Sequence, residues 1–232
     1  MNFISEFKID PGLCDRIVEQ YHNSDNIFKG QTLGGYDPSM KLSFESFLTG
    51  VELREYHWAL QQCLEKYIEQ YPSLNETLAR FRVHSKIKIQ MYPPTGGYFV
   101  WHCERTNPCG DVGRRVLVFM TYLNDVEDGG ETEFMYQNLK VKPEKGKTLI
   151  WPSEWTHTHR GLTSNSESKF IVTGWFEFDP DSLVSFYNSP LASLSVPHGG
   201  DDYSRYTWLS ILPSCTTNGL QSPCLCCSSS RS

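Results

Sequence analysis

The rhythm of apolar and polar positions changes once along this chain, at Arg82. Upstream the spacing is helical. Leu13, Ile17, Val18 and Tyr21 fall on one face of a helix that Asp10 caps and Pro11 opens. A longer helix is predicted over 51–71, with Tyr56, Leu60, Cys63, Leu64, Tyr67 and Ile68 on its apolar side and Pro72 as its stop. The stretch 24–49 between them is rich in Gly, Asp and Ser without a clear period, and reads as loop or extended chain. From Arg82 the period is two: Val83, Ile87, Ile89 and Met91 alternate with His84, Lys86, Lys88 and Gln90, as in a strand with one face buried.

Strands are predicted to continue over 98–104, 116–123, 131–134, 139–141, 148–151 and 169–178, separated by turn clusters such as PPTGG, EDGG and PEKG. Val116 to Leu123 is apolar on both parities except at Thr121, the pattern of a strand covered on both faces. Short strands at this spacing predict a mainly β, α+β protein built on a sandwich or barrel. The organisation that follows is a helical support region over 1–80, a β core over 81–180 and a weakly ordered tail over 181–232, where Ser, Pro and Gly punctuate isolated apolar residues.

Composition narrows the function classes. At 232 residues the chain is long enough to bury a core without disulfides. A net charge of -6 and no basic run argue against a nucleic-acid partner. No export leader and no membrane-spanning apolar run can be read, so a soluble, cytoplasmic protein without a membrane partner is expected. Oligomeric state cannot be read from the chain. Of the eight cysteines, Cys14, Cys63, Cys103 and Cys109 are scattered through helix and strand patterns and read as reduced thiols, while Cys215, Cys224, Cys226 and Cys227 crowd the tail.

The candidate chemistry lies in three places. On an extended segment side chains two apart share a face, so His102 and Glu104 of YFVWHCE point the same way as Tyr98 and Val100 and can reach one ion. His157 and His159 of WTHTHRG are both candidates for a second imidazole, and in any extended segment they too would share a face. Lys169 shares a strand face with Ile171, Thr173 and Trp175. A lysine there is either buried against an anion or placed at the strand's mouth with its ammonium in water. Two imidazoles and a carboxylate form the facial triad of non-haem Fe(II) oxygenases.

From Ile87 to Phe178 the sequence resembles the Fe(II)- and 2-oxoglutarate-dependent dioxygenases, and among them the prolyl 4-hydroxylase-like branch. The resemblance is carried by Tyr92 ten residues before His102, by TYLNDVEDGGETEF from Thr121, by VKPEKG from Val141 and by the ten-residue step from His159 to Lys169. It implies a double-stranded β-helix, or jelly-roll, barrel with the N-terminal helices packed on it. It also implies Fe(II) on His102, Glu104 and His159, which selects His159 over His157. Lys169 would pair with the distal carboxylate of 2-oxoglutarate, Tyr92 and Tyr122 would hydrogen-bond the co-substrate, and Trp175 would wall the pocket. Glu104 departs from the aspartate common in the branch, while keeping a hard oxygen ligand.

The implied reaction is hydroxylation of a C–H bond, foremost on peptidyl proline, with O2 consumed, succinate and CO2 released and ascorbate keeping the iron reduced. A free amino acid or another small molecule is the alternative substrate, and a non-catalytic binding barrel the alternative class. A zinc hydrolase using the same triad would leave Lys169 unexplained. Substrate recognition is expected in the loops 24–41, 95–97 and 105–114.

Overall fold

The computed structural model describes residues 1–32 and 34–179, so the tail expected over 181–232, with its four cysteines, lies outside the described residues. A strand that the sequence pattern did not announce, β1 (Ser5–Lys8), leads into helix α1 (Pro11–His22). Asp10 closes the first turn of α1, its carboxylate accepting from the backbone N–H of Gly12 at 3.1 Å and Leu13 at 3.2 Å. Asp10→Ala is expected to cost about 1 kcal/mol of stability, read from urea or thermal denaturation; an unchanged midpoint would show that the cap is immaterial.

The region 24–49 does contain strands, β2 (Phe28–Lys29) and β3 (Phe44–Phe47), which precede helix α2 (Gly50–Gln70) and a short helix α3 (Ser73–Thr77). The strand expected from Arg82 is two: β4 (Phe81–Val83) and β5 (Lys88–Tyr92). There follow β6 (Tyr98–His102), the one-turn helix α4 (Gly110–Arg114), β7 (Arg115–Tyr122), β8 (Thr132–Phe134), β9 (Leu139–Val141), β10 (Lys147–Pro152), β11 (His159–Gly161) and β12 (Lys169–Phe178).

Strand pairing is antiparallel and forms two sheets. The larger runs β1-β10-β7-β12-β5-β3-β2, with β4 also on β12; the smaller runs β6-β11-β8-β9. Together they make the jelly-roll. β12 is long enough to pair with β5 along its first half and β4 along its last residues, while β7 lies on its other side.

Side-chain parity divides the interior into two cores. Leu117 and Phe119 of β7 with Leu123 just beyond it, Val172 and Phe176 of β12 and Ile87 and Ile89 meet Leu13, Ile17 and Tyr21 of α1 and Tyr56, Leu60 and Tyr67 of α2. Val118, Met120 and Tyr122 of β7 face the other way, packing with Ile171, Trp151 and Phe134 between the sheets. The covered-both-faces reading of 116–123 therefore holds. Even Thr121 is buried, its hydroxyl tied to Thr148 at 2.7 Å and to Tyr56 at 2.8 Å. The polar face of β5, by contrast, does not point to bulk water: Lys88, Gln90 and Tyr92 line a cavity between the sheets.

Cys14 and Cys63 are buried free thiols, Cys103 is half-buried and Cys109 exposed. Among the described residues no helix is long and apolar enough to cross a membrane.

Candidate active site

In the smaller sheet the register of β6 on β11 sets His102 directly opposite His159. Glu104 lies just past the end of β6, held there by its backbone N–H on the Ser153 carbonyl at 3.1 Å. Its Oε1 is 3.5 Å from His102 Nε2 and 3.7 Å from His159 Nε2. The three ligand atoms all lie within 4.8 Å of one another. Each imidazole has its Nδ1 against a backbone carbonyl, His102 on Val100 at 3.0 Å and His159 on His157 at 2.9 Å. A carbonyl only accepts, so Nδ1 carries the hydrogen and the Nε2 lone pair of each neutral ring is turned to the cluster. These are the second partners that orient histidines for a metal. Two such nitrogens and one carboxylate oxygen can hold a divalent cation and leave positions open for other ligands.

The far oxygen of Glu104 is held from behind. Oε2 accepts from the Trp175 indole N–H at 3.0 Å and from Arg115 at 3.3 Å, and Arg115 also donates to the Glu104 backbone carbonyl at 2.7 Å. The Arg115 guanidinium lies 3.6 Å over the Trp175 ring. Burial pushes the Glu104 pKa up, but its contacts with His102, then with His159 and Arg115, outweigh it and bring it down to about 2. Burial, joined by the charge of His102 and opposed by Glu104, lowers His159 to about 4. An ionised carboxylate and a neutral imidazole are the protonation states that ligate cations.

His157 is not part of the cluster. It ends a 3-10 turn, Trp155–His157, instead of an extended segment, so the shared face expected for His157 and His159 does not exist. Its Nε2 faces the Asn2 carbonyl at 2.9 Å, and its Nδ1 meets the Thr156 hydroxyl at 3.0 Å.

The cluster opens on a cavity of about 560 Å³ that Lys169, Tyr92, Trp175 and Arg115 also line. Lys169 is 4% exposed, which excludes an ammonium reaching out to water. Its Nζ donates to the carbonyls of Gly130 at 2.7 Å and Leu162 at 3.3 Å and lies 5.1 Å from the Tyr92 ring, with no carboxylate paired to it among the described residues. Gly130 can offer that carbonyl because it adopts φ +76°, a conformation L side chains rarely take. Tyr92 donates its hydroxyl to Gln90 at 2.7 Å. The Tyr122 hydroxyl meets Thr132 Oγ1 at 2.6 Å and the Val141 carbonyl at 3.1 Å; Thr132 lines the cavity.

Sequence reasoning gave no site role to Arg115 or Lys88 and reached Lys41 only as the end of the candidate loop 24–41, and all three are on the cavity wall. Arg115 was legible only as a lone cation opening an apolar strand, and Lys41 sits in a stretch without periodicity. Of the three candidate recognition loops, 24–41 supplies several lining residues, 105–114 supplies Thr106, and 95–97 supplies none.

Residues 87–177 match the model of the 2OG-Fe(II) oxygenase superfamily. The chain is similar to a putative prolyl 4-hydroxylase of Acanthamoeba polyphaga mimivirus, 24% identical over 189 residues that cover 75% of this chain and 73% of that protein. A PKHD-type hydroxylase of Synechococcus sp. is 28% identical over 153 residues, covering 62% of this chain and 66% of that protein. The fold resembles that of a Trichoplax adhaerens prolyl hydroxylase, solved with a hypoxia inducible factor peptide fragment. The TM-score is 0.62 at 17% identity, over 80% of this chain and 88% of that one. The matched stretch contains the three clustered side chains and Lys169, and over it the chain is similar to the 2-oxoglutarate-dependent dioxygenases of prolyl 4-hydroxylase-like type.

Proposed function

We propose that the chain hydroxylates peptidyl proline in an Fe(II)- and 2-oxoglutarate-dependent reaction that releases succinate and CO2. His102, Glu104 and His159 hold the iron, and Lys169 holds the distal carboxylate of 2-oxoglutarate. What supports the reading is one joint placement: a two-imidazole, one-carboxylate cluster and a buried lysine without a carboxylate partner line the same cavity. The relatives named prolyl 4-hydroxylase favour proline as the target.

Bound iron supplies dioxygen activation, with 2-oxoglutarate as the electron source and ascorbate restoring iron oxidised in unproductive turnovers. The chain's own part is placement. An ammonium has three hydrogens, and the Gly130 and Leu162 carbonyls take two of Lys169's, leaving the third for a carboxylate. A charge-assisted bond in so covered a position is strong. Tyr92 closes over the same ammonium, whereas Tyr122 is not among the lining residues and reaches the cavity only through its hydrogen bond to Thr132. Trp175 and Arg115 draw the far oxygen of Glu104 away from the ligand cluster, so that a side chain one methylene longer than aspartate presents a single oxygen, Oε1.

The test is iron-dependent conversion of 2-oxoglutarate to succinate by the purified chain, stimulated by proline-containing peptides that gain one oxygen atom in mass. Absence of both turnover and iron uptake would sink the reading. Arg115→Ala is expected to weaken divalent-metal affinity about 10–100-fold, the usual effect of losing an outer partner of a ligand. A cobalt(II) absorption titration measures it, and an unchanged affinity would remove Arg115 from the metal's support.

A further inference from the structure

One wall of the cavity is used by neither the metal cluster nor Lys169. β5 turns Lys88, Gln90 and Tyr92 inward, and its register sets them across from Thr173, Ile171 and Lys169 of β12. Lys88 is therefore four residues along the ladder from the Lys169 end, about 13 Å away. Beside it, Glu45 of β3 lies opposite Gln90, faces the same interior and is completely buried. Glu45 Oε2 accepts from Lys88 Nζ at 2.9 Å, while Oε1 accepts from Lys41 Nζ at 2.5 Å and from the Ser43 hydroxyl at 3.2 Å.

One carboxylate thus serves two ammoniums, and both lysines line the cavity. The side chain of Lys41 is 5% exposed and that of Lys88 28%. Elsewhere on the wall the charges are matched: Glu104 has Arg115, and Lys169 is reserved for the co-substrate. The Lys41, Glu45 and Lys88 cluster keeps one positive charge in excess. A pair that served only to bury Glu45 would need a single lysine; among the described residues the second ammonium, that of the partly exposed Lys88, has besides Glu45 only the Phe28 ring at 5.7 Å against it and keeps hydrogens for an anion. Gln90 adds to the donor character, since its carboxamide oxygen is taken by Tyr92 and its remaining polar atom is the amide nitrogen. The cluster is also close to the reacting centre: Lys41 Nζ lies 5.2 Å over the Tyr98 ring, which also stacks on His102 with ring centroids 3.7 Å apart.

Resting on the oxygenase reading, we propose that Lys41 and Lys88 form an anion subsite that takes a carboxylate carried by the substrate beside the C–H bond to be hydroxylated. The carboxylate has two possible sources, an acidic side chain next to the target proline in a peptide or the α-carboxylate of a free amino acid. The subsite serves specificity; it leaves the metal and the co-substrate to the residues already described.

The test is equilibrium binding by calorimetry to the full chain loaded with Mn(II) and 2-oxoglutarate, so that affinity is read without turnover. Two matched pairs are compared: end-capped proline peptides differing only by Asp or Asn beside the proline, and free proline against prolinamide. The acid of one pair is expected to bind about tenfold more tightly than its amide, as a charge-assisted contact implies. The pair that shows the gap identifies the source. Lys88→Gln should close most of the gap and Lys88→Arg should keep it. Acid and amide binding alike in both pairs of the unmutated chain overturns the proposal, and so does a gap that survives Lys88→Gln. Should Lys88→Gln not fold, the unmutated chain's two pairs already decide. Iron-dependent succinate formation, measured separately, tells failure of the subsite from failure of the oxygenase reading.

Discussion

His159→Ala is expected to reduce iron-dependent succinate formation to background, a larger loss than the roughly 10–100-fold that follows removal of an outer partner. The reason is geometric. His159 presents Nε2 to Glu104 Oε1 at 3.7 Å with its Nδ1–H already spent on the His157 carbonyl, so no other nitrogen can take its place. His157→Ala is the matched control and should retain most activity, because both ring nitrogens of His157 are engaged outside the cluster, on Asn2 and Thr156. Cobalt(II) titration of both variants separates loss of metal from loss of chemistry. Activity lost in His157→Ala and kept in His159→Ala would show the ligand assignment to be wrong.

Lys169→Ala should raise the KM for 2-oxoglutarate about a hundredfold, the scale of about 3 kcal/mol for a covered charge contact, with metal affinity nearly intact. The pH dependence gives a second reading. Burial pulls the Lys169 pKa from its ordinary 10.5 down to about 8, with Glu131 opposing. The free protein therefore loses the ammonium above pH 8, and kcat/KM for 2-oxoglutarate should fall roughly tenfold per pH unit beyond that point. In Lys169→Ala the same profile should lack this fall. Stability moves the opposite way. A lysine whose folded pKa lies below its unfolded one makes its charge a cost to folding, present below pH 8 and relieved as pH rises from 8 toward 10.5. A variant profile that keeps the wild-type break, or an unchanged KM, would remove Lys169 from co-substrate binding.

Much of this was legible in the chain because the relevant signals are local. Helix α1 is announced by Asp10, Pro11 and a single apolar face, and β7 by apolar residues on both parities. Glu104 and His102 were placed together by their spacing alone. What stayed hidden depends on partners distant in sequence. β1 and β3 exist because β10 and β5 offer edges to pair with, and β2 because β3 does in turn, and nothing in their own few residues says so. The alternation of β5 was right in period, yet its polar side meets a cavity instead of bulk solvent, since a strand cannot say what lies above it. His157 and His159 are separated by a local 3-10 turn that the pattern of WTHTHRG does not distinguish from a strand. Arg115 acquires its role only when β6 and β12 bring Glu104 and Trp175 to it.

β12 has no face to spare. Lys169, Ile171 and Trp175 look into the space between the sheets, while Phe170, Val172 and Phe176 pack toward the helices. At Gly174 a Cβ would come within 2.5 Å of the Phe119 ring. Any gain in bulk on the helix side must therefore push this strand toward the cavity, and any loss must let it sag away, carrying the lysine and the indole with it. Over evolutionary time the two halves of the chain are not free to drift separately. Substitutions in α1 and α2 are filtered by their effect on a cavity they never touch, whereas the part of the wall supplied by 24–41 lies off this strand and can vary with much less collateral effect.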